Sequence, residues 1–367
     1  MKRNLAGLFF CALLLYNGCA RGESARSAVL IEADTGRVLY EHNAHEALPM
    51  ASTTKIMTAL LALENGDLQD AVTAGPDAFG VPGTSIYLAQ GETLSLGDML
   101  LGLMLASGND AAAAIAGHIG GTQEEFCRMM TARAAEIGCE NTVFLTPHGL
   151  PAEGHHTTAW DLAMIAREAM RLPAFREIVS TRRAEIPWAG HDYPRVLTNK
   201  NRLLSSYPGA VGVKTGYTKA AGRCLVFAAE RDGLRLIGAV LNCPDWFDAA
   251  ERILDEGFQH WQMVTLYSAG ETVRRLPVRG GTAPYVRAVA AGDVAAPVSV
   301  NAWPDLEIDL PDALDAGVRK GDVIGAASLW DGGEAVVTVP LVAGETVEEN
   351  TFRSRLRRIL ALWSAGV

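Results

Sequence analysis

The hydrophobic period of this chain switches from two to helical and back to two, and that switch limits the folds open to it. Ser27 to Tyr40 alternates around Asp34-Thr35-Gly36, a compact turn signal, and reads as a β-hairpin. From Val211 the period is again two. Gly212 to Thr218, Arg223 to Glu230 and Leu234 to Asn242 read as successive strands, the last two joined at Asp232-Gly233. Between these segments, Ile56, Met57, Leu60, Leu61 and Leu63 mark one side of a helix that follows Pro49 and stops at Asn65-Gly66. A second helix runs from about Leu94 to Leu105, breaks at Ser107-Gly108-Asn109 and resumes through Asp110 to Ile119. Helices continue through Glu124 to Ile137 and Thr158 to Arg171, the latter opening on a capping pattern, Thr158-Ala159-Trp160-Asp161. One antiparallel sheet of about five strands, split in sequence by a helical block, accounts for this order, which gives an α+β layered domain. A helix from Asp245 to about His260 closes it, and Val264 to Val347, rich in Val, Gly and Pro, reads as a separate small all-β domain.

Both ends of the chain carry further signals. Met1-Lys2-Arg3-Asn4, an apolar run from Leu5 to Leu15 and small residues around Gly18 to Gly22 make a secretory signal over 1–22, too short to span a bilayer. Export to the outer face of the cytoplasmic membrane, periplasmic or extracytoplasmic, is therefore expected. At the other end, Phe352, Leu356, Ile359, Leu360 and Trp363 form one stripe flanked by Arg353, Arg355, Arg357 and Arg358. Such a helix suits an anionic membrane surface, and a terminal helix docked on its own domain is the alternative. The expected division is thus 1–22 signal, 23–263 α+β domain, 264–347 β-rich domain and 348–367 membrane-associating helix. Of the 32 basic residues, Lys2, Arg3 and Arg21 fall in the signal, so 29 face 42 acidic ones, which excludes nucleic-acid binding by bulk charge. Four cysteines remain beyond the signal. Export permits a bridge, Cys224 with Cys243 on neighbouring strands being the favoured pair, and four buried free thiols are the equal alternative.

Three short motifs carry chemistry. Ser52-Thr53-Thr54-Lys55 opens a helix and puts a hydroxyl and an amine three residues apart on one face. A serine hydroxyl becomes a nucleophile when a base takes its proton, and a lysine serves as that base when burial and a second cation lower its pKa. Ser107-Gly108-Asn109 sets a hydroxyl and an amide at a helix break, and Lys214-Thr215-Gly216 lies on a strand, where its lysine supplies the second cation and Gly216 lets a substrate backbone approach. Singly each motif is weak; Ser299-Val300-Asn301 repeats the second pattern in what reads as a plain loop. His148, His155 and His156 lack a third ligand at helical spacing and read as solvated or hydrogen-bonded loop residues, and no cofactor is called for.

The order and contexts of the three motifs are those of penicillin-recognising serine enzymes. From Ser27 to Phe258 the chain resembles the low-molecular-mass penicillin-binding proteins that are D-alanyl-D-alanine carboxypeptidases. The likeness rests on Pro49-Met50-Ala51-Ser52-Thr53-Thr54-Lys55, Ala106 to Ala112, His148-Gly149-Leu150 and Gly212 to Thr218. It implies a β-lactamase/transpeptidase-like domain that removes the terminal D-alanine from peptidoglycan pentapeptide through an acyl-enzyme on Ser52, and that is inhibited by β-lactams. The implied roles are Lys55 as base, Ser107 as proton carrier to the departing amine and the amides of Ser52 and Tyr217 as oxyanion hole. Asn109 would hold a substrate amide or orient Lys55, Lys214 and Thr215 would receive the terminal carboxylate, and Lys200 would add a cation beside it. No Glu-x-x-x-Asn lies between the second and third motifs, which argues against a β-lactamase. A cross-link substrate, or a wall-binding module without activity, stays open.

Overall fold

The structure, a computed structural model, describes residues 24–352. The signal over 1–22 and residues 353–367 of the amphipathic stretch lie outside the described residues. In chain order the first domain holds β1 (Ser27–Glu32), β2 (Val38–His42), α1 (Lys55–Asn65), β3 (Ala71–Thr73), β4 (Thr93–Ser95), α2 (Leu96–Leu101), α3 (Asn109–Gly120), α4 (Gln123–Ile137), α5 (Ala159–Ala169) and α6 (Pro173–Ser180). It continues through β5 (Arg183–Ile186), β6 (Arg195–Thr198), α7 (Leu203–Ser206), β7 (Ala210–Thr218), β8 (Gly222–Arg231), β9 (Leu234–Leu241) and α8 (Trp246–His260).

The split sheet forms as expected, five strands in the order β2-β1-β9-β8-β7, with each of these pairs antiparallel. Both of its faces are covered. Along β8, Cys224, Val226 and Ala228 enter the core shared with the helical block, while Leu225, Phe227 and Ala229 enter a second core beneath α8. That alternation is the period of two made physical, since successive strand side chains point to opposite faces. α1 is buried from Lys55 to Ala62, which explains why its apolar residues run nearly around the helix rather than along a stripe. α5 begins at the expected cap, where Thr158 Oγ1 accepts from the Asp161 N–H at 3.0 Å.

Two local departures matter for the site. Ser52 lies not in the first α-turn but in a 3₁₀ turn, Ala51–Thr54, ahead of α1. There Thr53 Oγ1 donates to Met50 O (2.6 Å) and Thr54 Oγ1 to Ala51 O (2.8 Å), local bonds that compete with the helical ladder. The helix expected to Leu105 is α only to Leu101 and finishes as a π-turn, Gly102–Ala106. Ser107 then takes the left-handed conformation (φ 65°, ψ 34°) that makes the break.

The second unit begins at Trp261, with β10 (Trp261–Tyr267), β11 (Thr272–Arg279), β12 (Tyr285–Ala290), β13 (Val294–Ser299), β14 (Asp305–Asp309), β15 (Leu314–Asp315), β16 (Val323–Asp331) and β17 (Glu334–Ala343). β10 pairs with β13, and the others form a six-stranded sheet in the order β14-β16-β17-β12-β11-β15. Arg37, just before β2, reaches across to it: its guanidinium donates to Pro297 O (2.8 Å), pairs with Asp331 (2.7 Å) and sits over the Trp261 ring. Among the described residues the four cysteines, Cys127, Cys139, Cys224 and Cys243, are free and buried, so the bridge between Cys224 and Cys243 is not formed.

Candidate active site

The 3₁₀ turn, the helix break and β7 converge on one buried amine. Lys55 Nζ lies 3.0 Å from Ser52 Oγ, 2.7 Å from Asn109 Oδ1 and 2.7 Å from the carbonyl oxygen of His148. The side chain is fully buried, and burial is the main cause of a pKa held well below the ordinary lysine range; the charges of Lys214 and Lys200 add to it, and Asp110 opposes them. A neutral amine has two N–H bonds and one lone pair. Asn109 Oδ1 and His148 O are acceptors and take the two N–H bonds, which leaves the lone pair for the Ser52 hydroxyl. The arrangement can therefore draw a proton from Ser52.

Each partner is fixed in turn. Asn109 Nδ2 donates to Pro82 O (2.7 Å) and its backbone N–H to Thr84 O (2.7 Å), so its amide cannot rotate away. Gly149 (φ +86°) packs so closely on the 3₁₀ turn carrying Ser52 that a Cβ would stand 1.8 Å from Ala51 O, and that contact delivers the neighbouring His148 carbonyl to Lys55. Lys214, buried on β7, donates to Thr215 O (3.0 Å), and burial followed by the charge of Lys200 lowers its pKa to about 7. Gly216 has a use its sequence position did not suggest. A Cβ there would lie 2.9 Å from Ser52 N and 3.0 Å from Thr53 N, so the glycine admits the protein's own Ser52 turn against β7. Tyr217 follows it with an exposed ring, and Thr215 is buried. Lys200 stands at the end of β6, exposed, with its N–H directed to Leu105 O (3.4 Å) just before Ser107.

Comparison with known proteins agrees with this geometry. Residues 20–245 match the D-alanyl-D-alanine carboxypeptidase family, and residues 261–349 match the C-terminal domain of penicillin-binding protein 5. The chain belongs to the D-alanyl-D-alanine carboxypeptidase family. It is 35% identical to D-alanyl-D-alanine carboxypeptidase DacF of Bacillus subtilis (strain 168), covering 93% of this chain and 90% of that one. To DacC of Escherichia coli (strain K12) it is 34% identical over 90% of this chain and 86% of that one. Among solved structures it resembles penicillin-binding protein 5 from Haemophilus influenzae, with a TM-score of 0.76, 28% identity, 90% of this chain and 99% of that one covered. This carboxypeptidase is thus a serine-type hydrolase of peptidoglycan peptides, which implies an extracytoplasmic location. Among the described residues no helix is long and apolar enough to cross a membrane.

The carboxypeptidase site also uses residues that carried no role in the sequence. Asp110, beside the second motif, accepts from Ser85 Oγ (2.6 Å) and the backbone N–H groups of Ile86 and Leu88 (3.1 and 3.0 Å), which clamps the loop carrying Pro82 and Thr84. His155 Nδ1 accepts from Leu145 N–H (3.0 Å) and its Nε2 lies 3.0 Å from Thr54 Oγ1. His148 Nδ1 accepts from Leu150 N–H (3.2 Å). Burial, chiefly, pushes both histidines to a pKa of about 4, so they are neutral supports rather than solvated residues. His156, less buried, has its Nδ1 2.7 Å from Gly154 O. Two clues were present: Asp110 beside the second motif, and His148-Gly149-Leu150 among the stretches that carried the likeness.

Proposed function

We propose that this carboxypeptidase acts through a covalent acyl-enzyme on Ser52, and that the three hydrogen-bond positions around Lys55 Nζ carry that reading. Lys55 takes the Ser52 proton as Oγ attacks the carbonyl between the two terminal D-alanines of a pentapeptide stem. The oxyanion is held by the backbone N–H groups of Ser52 and Tyr217, which the close seat of Gly216 on the nucleophile turn favours. The C–N bond then breaks, Ser107 passes a proton to the departing D-alanine amine, and water releases the shortened peptide from Ser52. Lys214, with Thr215, takes the terminal carboxylate, with Lys200 as a further cation. Asn109 serves first to orient Lys55, because its Oδ1 already accepts from that amine.

A β-lactam presents a carbonyl and a carboxylate in similar relation, so penicillin acylates the same serine. The test is intact-mass measurement after exposure to labelled penicillin, together with D-alanine release from pentapeptide. A long-lived adduct that maps to Ser52 and disappears in Ser52→Ala, with D-alanine release abolished, is expected. An adduct elsewhere, or release unchanged in Ser52→Ala, overturns the assignment. Rapid loss of the adduct would mark a β-lactamase instead.

The two domains proposed from sequence as 23–263 and 264–347, with the second starting at Trp261 where β10 begins, set the catalytic unit on a β-rich stalk, and the basic amphipathic stretch proposed within 348–367 holds that stalk to the outer face of the membrane. Arg353, Arg355, Arg357 and Arg358, which flank or oppose the apolar stripe in the sequence, support this. Deletion of 351–367 should move the mature protein to the soluble fraction; retention in the membrane would place the anchor elsewhere.

A further inference from the structure

A two-stranded arm leaves the active site and ends in a cluster of aromatic rings that catalysis does not use. β5 pairs with β6 from Arg183↔Thr198 to Ile186↔Arg195, and the arm's base is Asn199, whose N–H bonds to Arg182 O (2.9 Å), next to Lys200. At its tip Trp188 stacks on His191 (centroids 4.2 Å, 27°), and Tyr193 meets both edge-on at 5.7 and 5.0 Å. Tyr193 is 58% exposed. The rings line an open groove of about 580 Å³ whose wall also carries Glu185 and Asp192. Their positions are set from below: the buried Arg195 guanidinium lies 5.2 Å from the Trp188 centroid and pairs with buried Glu92 at 3.0 Å.

We propose that this groove is a subsite for a pyranose of the peptidoglycan glycan strand, with the exposed Tyr193 ring stacking on the apolar face of the sugar beside the edge of the Trp188–His191 stack, and Glu185 and Asp192 accepting from its hydroxyls. The proposal rests on the reading of Lys200, Lys214 and Thr215 as the carboxylate end of the substrate site. Two observations select a sugar. First, an apolar protein surface seated here would desolvate the Asp192 carboxylate and the ion pair that Glu185 makes with Arg183 (2.7 Å), whereas a sugar ring offers C–H faces to the aromatics and donors at its rim for the carboxylate oxygens. Second, the lengths agree. From Lys200 to Tyr193 the arm spans at most about 23 Å, and a five-residue stem extended from the same end spans roughly 17 Å before its sugar begins. Rings held in place before binding lose little freedom on contact, so even a shallow groove can contribute affinity.

Steady-state kinetics on two substrates test the proposal: a short peptide ending in D-alanyl-D-alanine, and a disaccharide pentapeptide with the same terminus. Trp188→Ala with Tyr193→Ala should raise KM for the sugar-bearing substrate about tenfold, the size of about 1.4 kcal/mol, with kcat retained and both constants on the short peptide unchanged. Equal losses on both substrates, or none on either, overturn it. As a second measurement, the Ser52→Ala protein with its arm intact should bind a peptide-free disaccharide in a calorimetric titration, and Tyr193→Ala in that background should abolish the heat. No binding by the parent overturns the subsite. Wild-type protein that releases no D-alanine from either substrate would instead defeat the reading of the catalytic site, and the titration would still decide the subsite.

Discussion

Lys55 and Lys214, both fully buried, flank the same site, and after burial itself the charge of Lys214 is the largest influence holding the Lys55 amine below its ordinary range. The proposed mechanism asks opposite things of them: Lys55 must be neutral to accept a proton, and Lys214 charged to receive a carboxylate. Activity therefore rises as pH climbs through the lowered pKa of Lys55 and falls as Lys214 loses its proton near its pKa of about 7. Lys200 depresses both groups, so Lys200→Gln raises both pKa values. The kcat/KM profile on a carboxylate-bearing peptide should shift to higher pH in that variant. A shift to lower pH, or none, would show that Lys200 does not reach the pair.

Lys214 should also weaken the fold it serves. Its pKa of about 7 lies below the ordinary 10.5, so between those values the unfolded chain binds a proton that the native protein does not. Stability then falls as pH drops from 10.5 toward 7 and levels off below, a loss on the order of 5 kcal/mol from a fully buried group. Lys214→Met removes that loss and keeps most of the side-chain volume. Denaturant unfolding at pH 7 should show a more stable protein, by on the order of 2 kcal/mol, whose D-alanine release has dropped roughly 100-fold or more. A destabilised methionine variant would mean that the ammonium has native partners that outweigh its burial.

The sequence revealed this pair more readily than what surrounds it. Strands β1, β7, β8 and β9 were legible because they alternate between two cores, a pattern written directly into Cys224, Leu225, Val226 and Phe227. Lys55 and Lys214 were legible because side-chain chemistry at fixed spacing survives in one dimension. The third partner of Lys55 is a backbone carbonyl, which every residue has, so although His148-Gly149-Leu150 carried part of the likeness, the role of His148 shows only when Gly149 is seen against Ala51. The π-turn over Gly102–Ala106 and the arm of β5 and β6 were likewise not read. The first sits within an uninterrupted apolar run, and the second is two strands of four residues, too short for periodicity to register. Cys224 and Cys243 sit on and beside neighbouring strands as expected, yet remain thiols.

Gly149 should be intolerant of the smallest side chain. At φ +86° any other residue is strained, and the new carbon would stand 1.8 Å from Ala51 O and 2.8 Å from Thr54 Oγ1. Only backbone movement relieves that contact, and it moves the turn holding Ser52 away from Lys55 or withdraws the His148 carbonyl. Gly149→Ala should cost about 2–4 kcal/mol in thermal or denaturant unfolding and slow penicillin acylation about 100-fold. Near wild-type acylation in a well-folded variant would mean that the His148 carbonyl is dispensable.

His155 supports the same turn from the other side and should tie its stability to acid. Leu145 N–H occupies its Nδ1, so the single ring proton of the neutral form resides on Nε2 and is donated to Thr54 Oγ1, which in turn donates to Ala51 O at 2.8 Å. A second proton would meet the Leu145 donor head-on, consistent with burial holding the pKa near 4 against an ordinary 6.5. In that interval the unfolded chain takes up the proton and the native protein does not. The stability linked to His155 is therefore complete above pH 6.5 and is lost as pH falls toward 4, at about 1.4 kcal/mol for each pH unit in the middle of the range. His148, also near 4, adds a parallel loss. His155→Gln keeps an acceptor and a donor but cannot titrate. Between pH 7 and pH 5 the wild-type protein should lose about 2 kcal/mol more unfolding free energy than this variant, while acylation at pH 7 falls only severalfold. Equal losses over that interval would show that the native ring accepts a proton as readily as the unfolded one, and the turn would then owe its position to Thr53 and Thr54 alone.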